Sequence, residues 1–324
     1  MNSNQCAGFV TALTIVFLAF GLLICSTPTG ATPSPGTTAS VAHAVRTSTT
    51  MTSLPSKLKP SLQLFSNAST SYKLTGPSFF AACDPYDSKK LSAHPVPCIF
   101  GDHLSKKTIV LVGDSNVGNW APALSIGLKK DGYRLAVFGY SGCPASDIIY
   151  TASTSSQYQR CNRWHARVPA AIRALHPVAV IAASGPYDVA ASPEDEWVAG
   201  FSKLFEDATA GSPAITRILF GTSPIFPESI PGCLAAHPDP QTCAIHFKIG
   251  DHHYGDYLSR DVSEASAAHA KLVVTYPWFC FDGTCSPVIG KYLVYTDKDH
   301  LSIAYSDYLS AVVTNSVLNL LPHH

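Results

Sequence analysis

The sequence predicts an α/β domain in which helices cover both faces of a parallel sheet. Three observations favour this class: 46% of the 324 residues are hydrophobic, short β-branched runs alternate with helical stretches after Lys106, and no internal repeat is present. Alternation of this kind is typical of strand–helix–strand crossovers, which join parallel strands. A chain of this length can bury the core of one large domain and still carry appendages.

Five segments have the apolar, β-branched character of buried strands. They are residues 108–112, 134–138, 178–183, 217–221 and 271–275. Helical patterns lie between and after them, over residues 116–130, 158–175, 194–208, 254–270 and 302–320. Asp131-Gly132 and Pro177 follow the first two helices as stop signals. Five parallel strands with helical crossovers predict a flavodoxin-like three-layer α/β/α sandwich.

The N-terminal part of the chain has a different composition. Residues 9–25 are apolar apart from small and hydroxyl residues, and residues 1–8 carry no acidic or basic side chain. An apolar run of this length predicts a signal peptide or signal anchor over residues 1–31. Residues 32–77 are rich in Ser, Thr, Pro and Ala and are predicted to be a disordered tether. Residues 78–324 are then the folded domain, expected outside the cytoplasm in a secreted or membrane-anchored protein.

Cysteine usage agrees with an exported domain. Cys6 and Cys25 lie in the N-terminal segment, and the eight cysteines that remain are an even number, as a disulfide framework requires. A zinc site is the alternative, but there is no C-x-x-C and the spacings do not match ligand pairs. Nearest-neighbour pairing is the simplest connectivity. It joins Cys83 to Cys98, Cys143 to Cys161, Cys233 to Cys243 and Cys280 to Cys285.

Charge and metal-ligand content argue against two classes of function. Lys plus Arg and Asp plus Glu each total 22, so the chain offers no basic excess for nucleic acid. Asp251-His252-His253 could hold a metal ion, but a polar loop at a helix start explains these residues more simply. We therefore expect no nucleic acid partner, no metal and no cofactor.

A serine follows the first predicted strand, at the edge where ligands collect in sheets of this kind. In Gly113-Asp114-Ser115, the glycine suits a tight turn, and the start of the next helix supplies N–H groups and a positive dipole end for an oxyanion. Taken alone, Ser115 is better explained as a helix cap or a polar loop residue. Catalysis by Ser115 requires a second signal.

That second signal precedes the last predicted helix, where Asp297 and His300 lie three residues apart. A serine hydroxyl is a weak nucleophile until a base takes its proton, and an imidazole serves best when a carboxylate holds its tautomer. The alternative is a solvated turn in which Ser302 caps the helix. Together with Ser115, the pair predicts a serine–histidine–aspartate triad.

Several motifs occur in order along residues 106–320. They are Val112-Gly113-Asp114-Ser115, Ser141-Gly142-Cys143-Pro144, Cys161-Asn162-Arg163-Trp164, Pro231-Gly232-Cys233-Leu234, and the stretch from Trp278 to Ser302. With them the chain resembles the SGNH (GDSL-type) hydrolase superfamily, in particular the SGNH domain often fused to membrane acyltransferases that O-acylate polysaccharides. The resemblance implies the SGNH hydrolase fold.

The resemblance also implies roles for individual residues. Ser115 would be the nucleophile, His300 the general base and then acid, and Asp297 the carboxylate that orients His300, with Asp299 as the fallback. Asp114 would be a structural hydrogen-bonding residue of the turn.

For the oxyanion hole, the resemblance implies the backbone N–H groups of Ser115 and Gly142, with Gly139 as a less favoured substitute for Gly142. Many members of the superfamily take a third donor from an asparagine after the third strand, where this chain has Tyr187. This departure leaves the third donor unassigned.

These inferences predict an exported serine acyl-ester hydrolase of the carbohydrate O-acetylesterase kind, working through an acyl-serine intermediate. The expected substrate is an acylated glycan or a small ester. Two alternatives stay open. One is an O-acyltransferase that moves an acyl group to an envelope glycan with a membrane acyltransferase partner, and the other is a non-catalytic glycan-binding module on the same fold.

Overall fold

The computed structural model describes residues 36–84, 95–148, 156–185, 194–247 and 252–322, with side chains from residue 257 in the last range. The predicted signal segment 1–31 lies outside these residues. Strands and helices alternate through the described part of the chain. The strands are β1 (Cys98–Gly101), β2 (Thr108–Gly113), β3 (Arg134–Gly139), β4 (Ala179–Ala183), β5 (Thr216–Phe220), β6 (Ile245–His246), β7 (Lys271–Val273), β8 (Cys280–Phe281), β9 (Thr284–Cys285), β10 (Val288–Ile289) and β11 (Tyr292–Leu293).

The helices include all five predicted helical regions and several short helices that were not predicted. They are α1 (Thr38–Ser48), α2 (Ala68–Tyr72), α3 (Gly76–Phe80), α4 (Val117–Lys130), α5 (Ser156–His165), α6 (Val168–Arg173), α7 (Glu194–Ala208), α8 (Ile230–Ala236), α9 (His252–Ala267), α10 (Ile303–Tyr308) and α11 (Ser310–Leu318).

Two predicted helices are each divided in the structure. The prediction over residues 158–175 becomes α5 and α6, and Pro169 lies in the first turn of α6, where a missing N–H costs nothing. The prediction over residues 302–320 becomes α10 and α11, which meet at Leu309. Ser302 caps α10 by accepting a hydrogen bond from the N–H of Tyr305.

A mixed sheet of six strands forms the centre, in the order β1-β3-β2-β4-β5-β7. The five predicted strands are β2, β3, β4, β5 and β7, and they pair in parallel. The prediction of a purely parallel five-stranded sheet is corrected at one edge, where β1 pairs antiparallel with β3. Four residues of mostly half-buried character give β1 too weak a pattern for a sequence prediction.

The strand order reverses around β2, since β3 lies on one side of it and β4 on the other. Crevices form at the carboxyl ends of strands where the order reverses in this way. The loops that follow β2, β3 and β4 therefore meet at one edge of the sheet.

Alternate residues of the strands face two separate cores, because successive side chains of a strand point to opposite faces. In β2, Ile109 and Leu111 belong to a cluster shared with α4 and α11, while Val110 and Val112 belong to a cluster shared with α5 to α7. Helices thus cover both faces of the sheet. This arrangement confirms the predicted three-layer α/β/α class.

The predicted disordered tether, residues 32–77, is corrected from Gly36 onward, because these residues are ordered and packed on the domain. Thr37 caps α1, and Val41 and Val45 on one face of α1 are only 1% and 2% exposed. The hydroxyl of Ser48 also accepts a hydrogen bond from the N–H of Gly290 at 3.0 Å. The Ser/Thr/Ala-rich composition gave no sign of α1. This short helix has a narrow apolar face, and its stability comes from the contact of that face with the domain.

The eight predicted disulfide cysteines form four pairs at bonding distance, with the nearest-neighbour connectivity. The Cα–Cα distances are 5.4 Å for Cys83–Cys98, 5.5 Å for Cys143–Cys161, 5.9 Å for Cys233–Cys243 and 4.0 Å for Cys280–Cys285. Within the described ranges, no helix combines the length and apolar character needed to cross a bilayer.

Candidate active site

Ser115 lies half-buried in the tight turn between β2 and α4. A side chain at Gly113, the last residue of β2, would overlap the backbone carbonyl of Ala183 at the end of β4. The close approach of the two strands therefore requires glycine at this position. The result is a turn that holds Ser115 at the carboxyl edge of the sheet.

The side chain of Asp114 holds this turn in place by hydrogen bonds. Its carboxylate is 2% exposed and accepts hydrogen bonds from the N–H groups of Asn116 at 2.8 Å and Gly185 at 3.1 Å. Burial raises the pKa of Asp114 to about 6, although these hydrogen bonds and the nearby His300 act to lower it. The contacts join the turn after β2 to the end of β4, as the structural role predicted for Asp114 requires.

His300 lies on a closed turn between β11 and α10. Asp297 accepts hydrogen bonds through Oδ1 from the N–H groups of Asp299 at 2.9 Å and His300 at 2.7 Å. The N–H of Thr296 donates to the carbonyl of His300 at 2.9 Å. A turn of this kind, closed by its own aspartate, presents the side chains of Asp297 and His300 on the same side.

The structure brings Ser115, His300 and Asp297 together. Nε2 of His300 lies 2.7 Å from Oγ of Ser115, and Nδ1 lies 2.7 Å from Oδ2 of Asp297. Because a carboxylate only accepts, Nδ1 carries the proton in the neutral ring and Nε2 is free to accept from the serine hydroxyl. The nearest oxygen of Asp299 is 3.4 Å from Nδ1, so Asp297 is the closer carboxylate.

The charges around the ring act on all three titratable groups of the loop. Burial lowers the pKa of His300, but the hydrogen bond and charge of Asp297, with Asp299 and Asp114, outweigh burial and raise it above 6.5. Burial raises the pKa of Asp297, yet its hydrogen bonds and the histidine charge bring the net pKa below the ordinary value. Burial together with the Asp297 charge raises the pKa of Asp299. Of the two carboxylates, Asp297 is therefore the one that ionises more readily beside the imidazole.

Asn119 is a site residue that the sequence analysis missed. It is fully buried in α4, and its side chain donates to the carbonyl of Asp299 at 3.2 Å and accepts from the N–H of Leu301 at 2.8 Å. It thereby holds both sides of His300 against the helix that begins beside Ser115. Its signal in the sequence was a single polar residue on the apolar face of a helix.

Gly142 lies in the loop after β3, in a left-handed turn with φ of +74°. Since β2 and β3 are parallel neighbours with Gly113 opposite Gly139, the loops of Ser115 and Gly142 emerge at the same edge. Gly139 itself is buried, and a side chain there would overlap the ring of Phe80. Packing against Phe80 thus accounts for the glycine at position 139, and Gly142 stays the candidate oxyanion donor. Tyr187, at the position of the third donor, lies outside the described residues.

Two groups of metal-ligand side chains occur among the described residues, and each has another role. Cys143 and Cys161 with His165 form one group, but the two cysteines are paired with each other. The other group is Asp297, Asp299 and His300, the loop described above. The Asp251-His252-His253 alternative falls on residues whose side chains are not described.

Comparison with solved structures gives several alignments at low sequence identity. The periplasmic domain of a lipopolysaccharide acetyltransferase from Salmonella ser. Paratyphi A aligns with a TM-score of 0.54 and 15% identity, over 67% of this chain and 85% of that chain. Est24, a carbohydrate acetylesterase from Sinorhizobium meliloti, aligns with a TM-score of 0.43 and 15% identity, over 66% and 100% of the two chains. An aryl esterase from M. smegmatis aligns with a TM-score of 0.41 and 16% identity, also over 66% and 100%. No curated protein matches the sequence.

Comparison with protein families gives a match over most of the chain. The family of the SGNH domain (fused to AT3 domains) matches residues 82–315, a range that begins before β1 and ends within α11. This range contains the loops of Ser115, Gly142 and His300 and all eleven strands. The chain belongs to this SGNH family, a family of acyl-ester hydrolases and acyltransferases.

Proposed function

We propose that the chain is a serine acyl-ester hydrolase that works through an acyl-serine intermediate on Ser115. One observation carries the proposal. A single imidazole, that of His300, lies 2.7 Å from the hydroxyl of Ser115 on one side and 2.7 Å from the carboxylate of Asp297 on the other. These two contacts support a role for Ser115 as nucleophile, His300 as base and Asp297 as the carboxylate that orients the base.

The reaction follows from these contacts. Oγ of Ser115 attacks the ester carbonyl while Nε2 of His300 takes the hydroxyl proton, and Asp297 stabilises the imidazolium that forms. When the tetrahedral intermediate collapses, His300 returns this proton to the departing alcohol and the acyl group stays on Ser115. Water then attacks the acyl-serine with His300 as base, which releases the carboxylic acid and restores the serine.

The negative charge of the tetrahedral intermediate needs donors in place before the reaction. We assign this role to the N–H groups of Ser115 and Gly142, which lie on adjacent loops at the same edge of the sheet. The N-terminus of α4 follows Ser115 directly, and its dipole favours negative charge at this point. Loss of one such donor can cost about 10²- to 10³-fold in rate.

We propose an O-acylated glycan as the natural substrate and a location outside the cytoplasm, either secreted or membrane-anchored. The four cysteine pairs support this location, since disulfides persist in oxidising compartments. A second candidate is transfer of the acyl group to a glycan hydroxyl with a membrane acyltransferase partner. The fusion of this family's domains to AT3 acyltransferase domains favours that candidate. The same acyl-serine could pass its acyl group either to water or to a glycan hydroxyl.

The first prediction concerns turnover by the purified full chain with its disulfides formed. We expect it to release p-nitrophenol from p-nitrophenyl acetate and to be inactivated by a fluorophosphonate, with the adduct on Ser115 in peptide mass spectrometry. Addition of a sugar acceptor separates the two candidates, because transfer would give an acylated sugar at the expense of free acetate. A folded chain that neither turns over esters nor acquires the adduct would contradict ester chemistry and favour glycan binding.

The second prediction concerns pH. His300 must be neutral to accept the serine proton, and its carboxylate neighbours raise its pKa above 6.5. We therefore expect kcat/KM to fall as pH decreases through an apparent pKa above 6.5, measured from about pH 5 to about pH 9. Asp297→Asn removes the main acidic partner, so the residual activity of that variant should have its acid limb at lower pH. An acid limb that does not move in Asp297→Asn would contradict this assignment.

A further inference from the structure

The chain before the fold's first strand contains a segment, residues 74–84, that contacts all three loops of the candidate site. We call it the brace. Its first contacts are with the loop of His300: the N–H of Gly76 donates to the carbonyl of Leu301 at 3.0 Å, and the carbonyl of Leu74 accepts from the N–H of Ile303 at 3.0 Å. These two hydrogen bonds hold the backbone immediately after His300.

The brace next contacts the helix that begins beside Ser115. The backbones of Gly76 and Gly118 lie so close that a side chain on either would overlap the backbone of the other. Gly118 is in the first turn of α4, and its N–H donates to the carbonyl of Ser115 at 3.0 Å. The brace thus contacts Gly118, and Gly118 is hydrogen-bonded to the backbone of the nucleophile Ser115.

The last contacts of the brace are with the loop of Gly142. Phe80 is fully buried against Gly139 at the end of β3. Asp84 accepts two hydrogen bonds from Ser141, one from its N–H at 3.3 Å and one from its hydroxyl at 2.5 Å. Because Ser141 directly precedes Gly142, Asp84 holds the residue on the N-terminal side of the Gly142 N–H.

A covalent link keeps this end of the brace in place. Cys83 is paired with Cys98, and Cys98 in β1 lies opposite Val137 in β3. Asp84 is therefore tied, through Cys83, to β1, and β1 is paired with β3, the strand that leads into the Gly142 loop. The family match begins at residue 82, so most of the brace lies before the matched range.

We propose that the brace sets the relative positions of the loops of Ser115, Gly142 and His300, with Asp84 as the positioning residue of the oxyanion hole. This inference rests on the proposed function, because it assigns Gly142 a donor role in ester chemistry. Three separate loops must keep their geometry within a fraction of an ångström for rapid catalysis. One continuous segment in contact with all three supplies that rigidity.

The test compares Asp84→Ala and Asp84→Asn with Asp102→Ala in the full chain. Asp102 is a matched control, since its carboxylate accepts a hydrogen bond from the N–H of Leu104 in a turn after β1. We expect Asp84→Ala to lower kcat for p-nitrophenyl acetate by about 100-fold with little change in KM, because misplacement of the loop affects the transition state most. Asp84→Asn keeps one acceptor oxygen and should recover part of this loss, and Asp102→Ala should keep the wild-type kcat.

A second measurement does not depend on catalysis. Hydrogen–deuterium exchange of the peptide covering residues 139–145 should be faster in Asp84→Ala than in the wild type and in Asp102→Ala, because the loop has lost its anchor. Unchanged exchange, or a kcat equal to that of the wild type, would overturn the inference while leaving ester hydrolysis in place. Faster exchange in a chain that shows no ester chemistry even as wild type would instead reject the proposed function and retain the brace as the anchor of this loop.

Discussion

Replacing His300 by alanine is expected to lower kcat by about 10⁴- to 10⁶-fold, the range typical of triads in which the base is lost. The reason is the contact of 2.7 Å between Nε2 of His300 and Oγ of Ser115, which provides the acceptor for the serine proton. Ser115→Ala should have an effect of the same size, since it removes the atom that carries the acyl group. Initial rates on p-nitrophenyl acetate measure both effects.

The double variant distinguishes a working triad from two separate contributions. Groups that act as a unit are not additive, so Ser115→Ala/His300→Ala should be about as slow as either single variant. Ser263→Ala and His246→Ala change exposed residues of the same types outside the site and serve as matched controls. If the fold-loss of kcat in the double variant equals the product of the two single losses, Ser115 and His300 act independently.

Replacing Asp297 by asparagine is expected to lower kcat by about 10⁴-fold, because the imidazole loses the carboxylate that fixes its tautomer and stabilises its charged form. Oδ2 of Asp297 lies 2.7 Å from Nδ1 of His300, and the charge of Asp297 is a main contribution to the raised pKa of His300. Asp299→Asn removes a longer contact of 3.4 Å to Nδ1 and a smaller contribution to the raised pKa of His300. For Asp299→Asn we expect a loss of less than about fivefold, since a partly solvated ion pair is worth about 1 kcal/mol or less.

These two substitutions form a matched pair, because they make the same chemical change two residues apart in one loop. Steady-state kinetics should be accompanied by thermal unfolding, since Asp297 also closes the turn through the N–H groups of Asp299 and His300. A larger loss in Asp299→Asn than in Asp297→Asn, with both variants folded, would assign the orienting role to the fallback carboxylate.

The candidate site could be predicted from sequence to the extent that its residues lie in recognisable local patterns. Ser115 follows a strongly apolar strand, and Asp297 and His300 share one short turn, so each could be found from its neighbours along the chain. Asn119 could not, because its two partners lie in the loop around His300, about 180 residues further along the chain. A buried polar residue in a helix shows that partners exist but does not say where they are.

The fold shows the same division. The central strands carry continuous apolar runs and were predicted with starts within one residue of those observed. The order of residues 36–77 was missed, because α1 has only a few apolar residues and its stability comes from the surface on which Val41 and Val45 pack. The antiparallel strand β1 was missed for a similar reason, since its pairing with β3 defines it more than its own composition does.

The sequence by itself determined the α/β class, the five parallel strands and the identities of Ser115, Asp297 and His300 as a candidate triad, because these depend on local periodicity and on short motifs. Only the tertiary structure decided which carboxylate lies closer to the imidazole, that Asn119 holds the histidine loop, and that the brace contacts all three loops. Those facts depend on distances between residues far apart in the chain. Such distances follow from the packing of the whole domain, which no local pattern encodes.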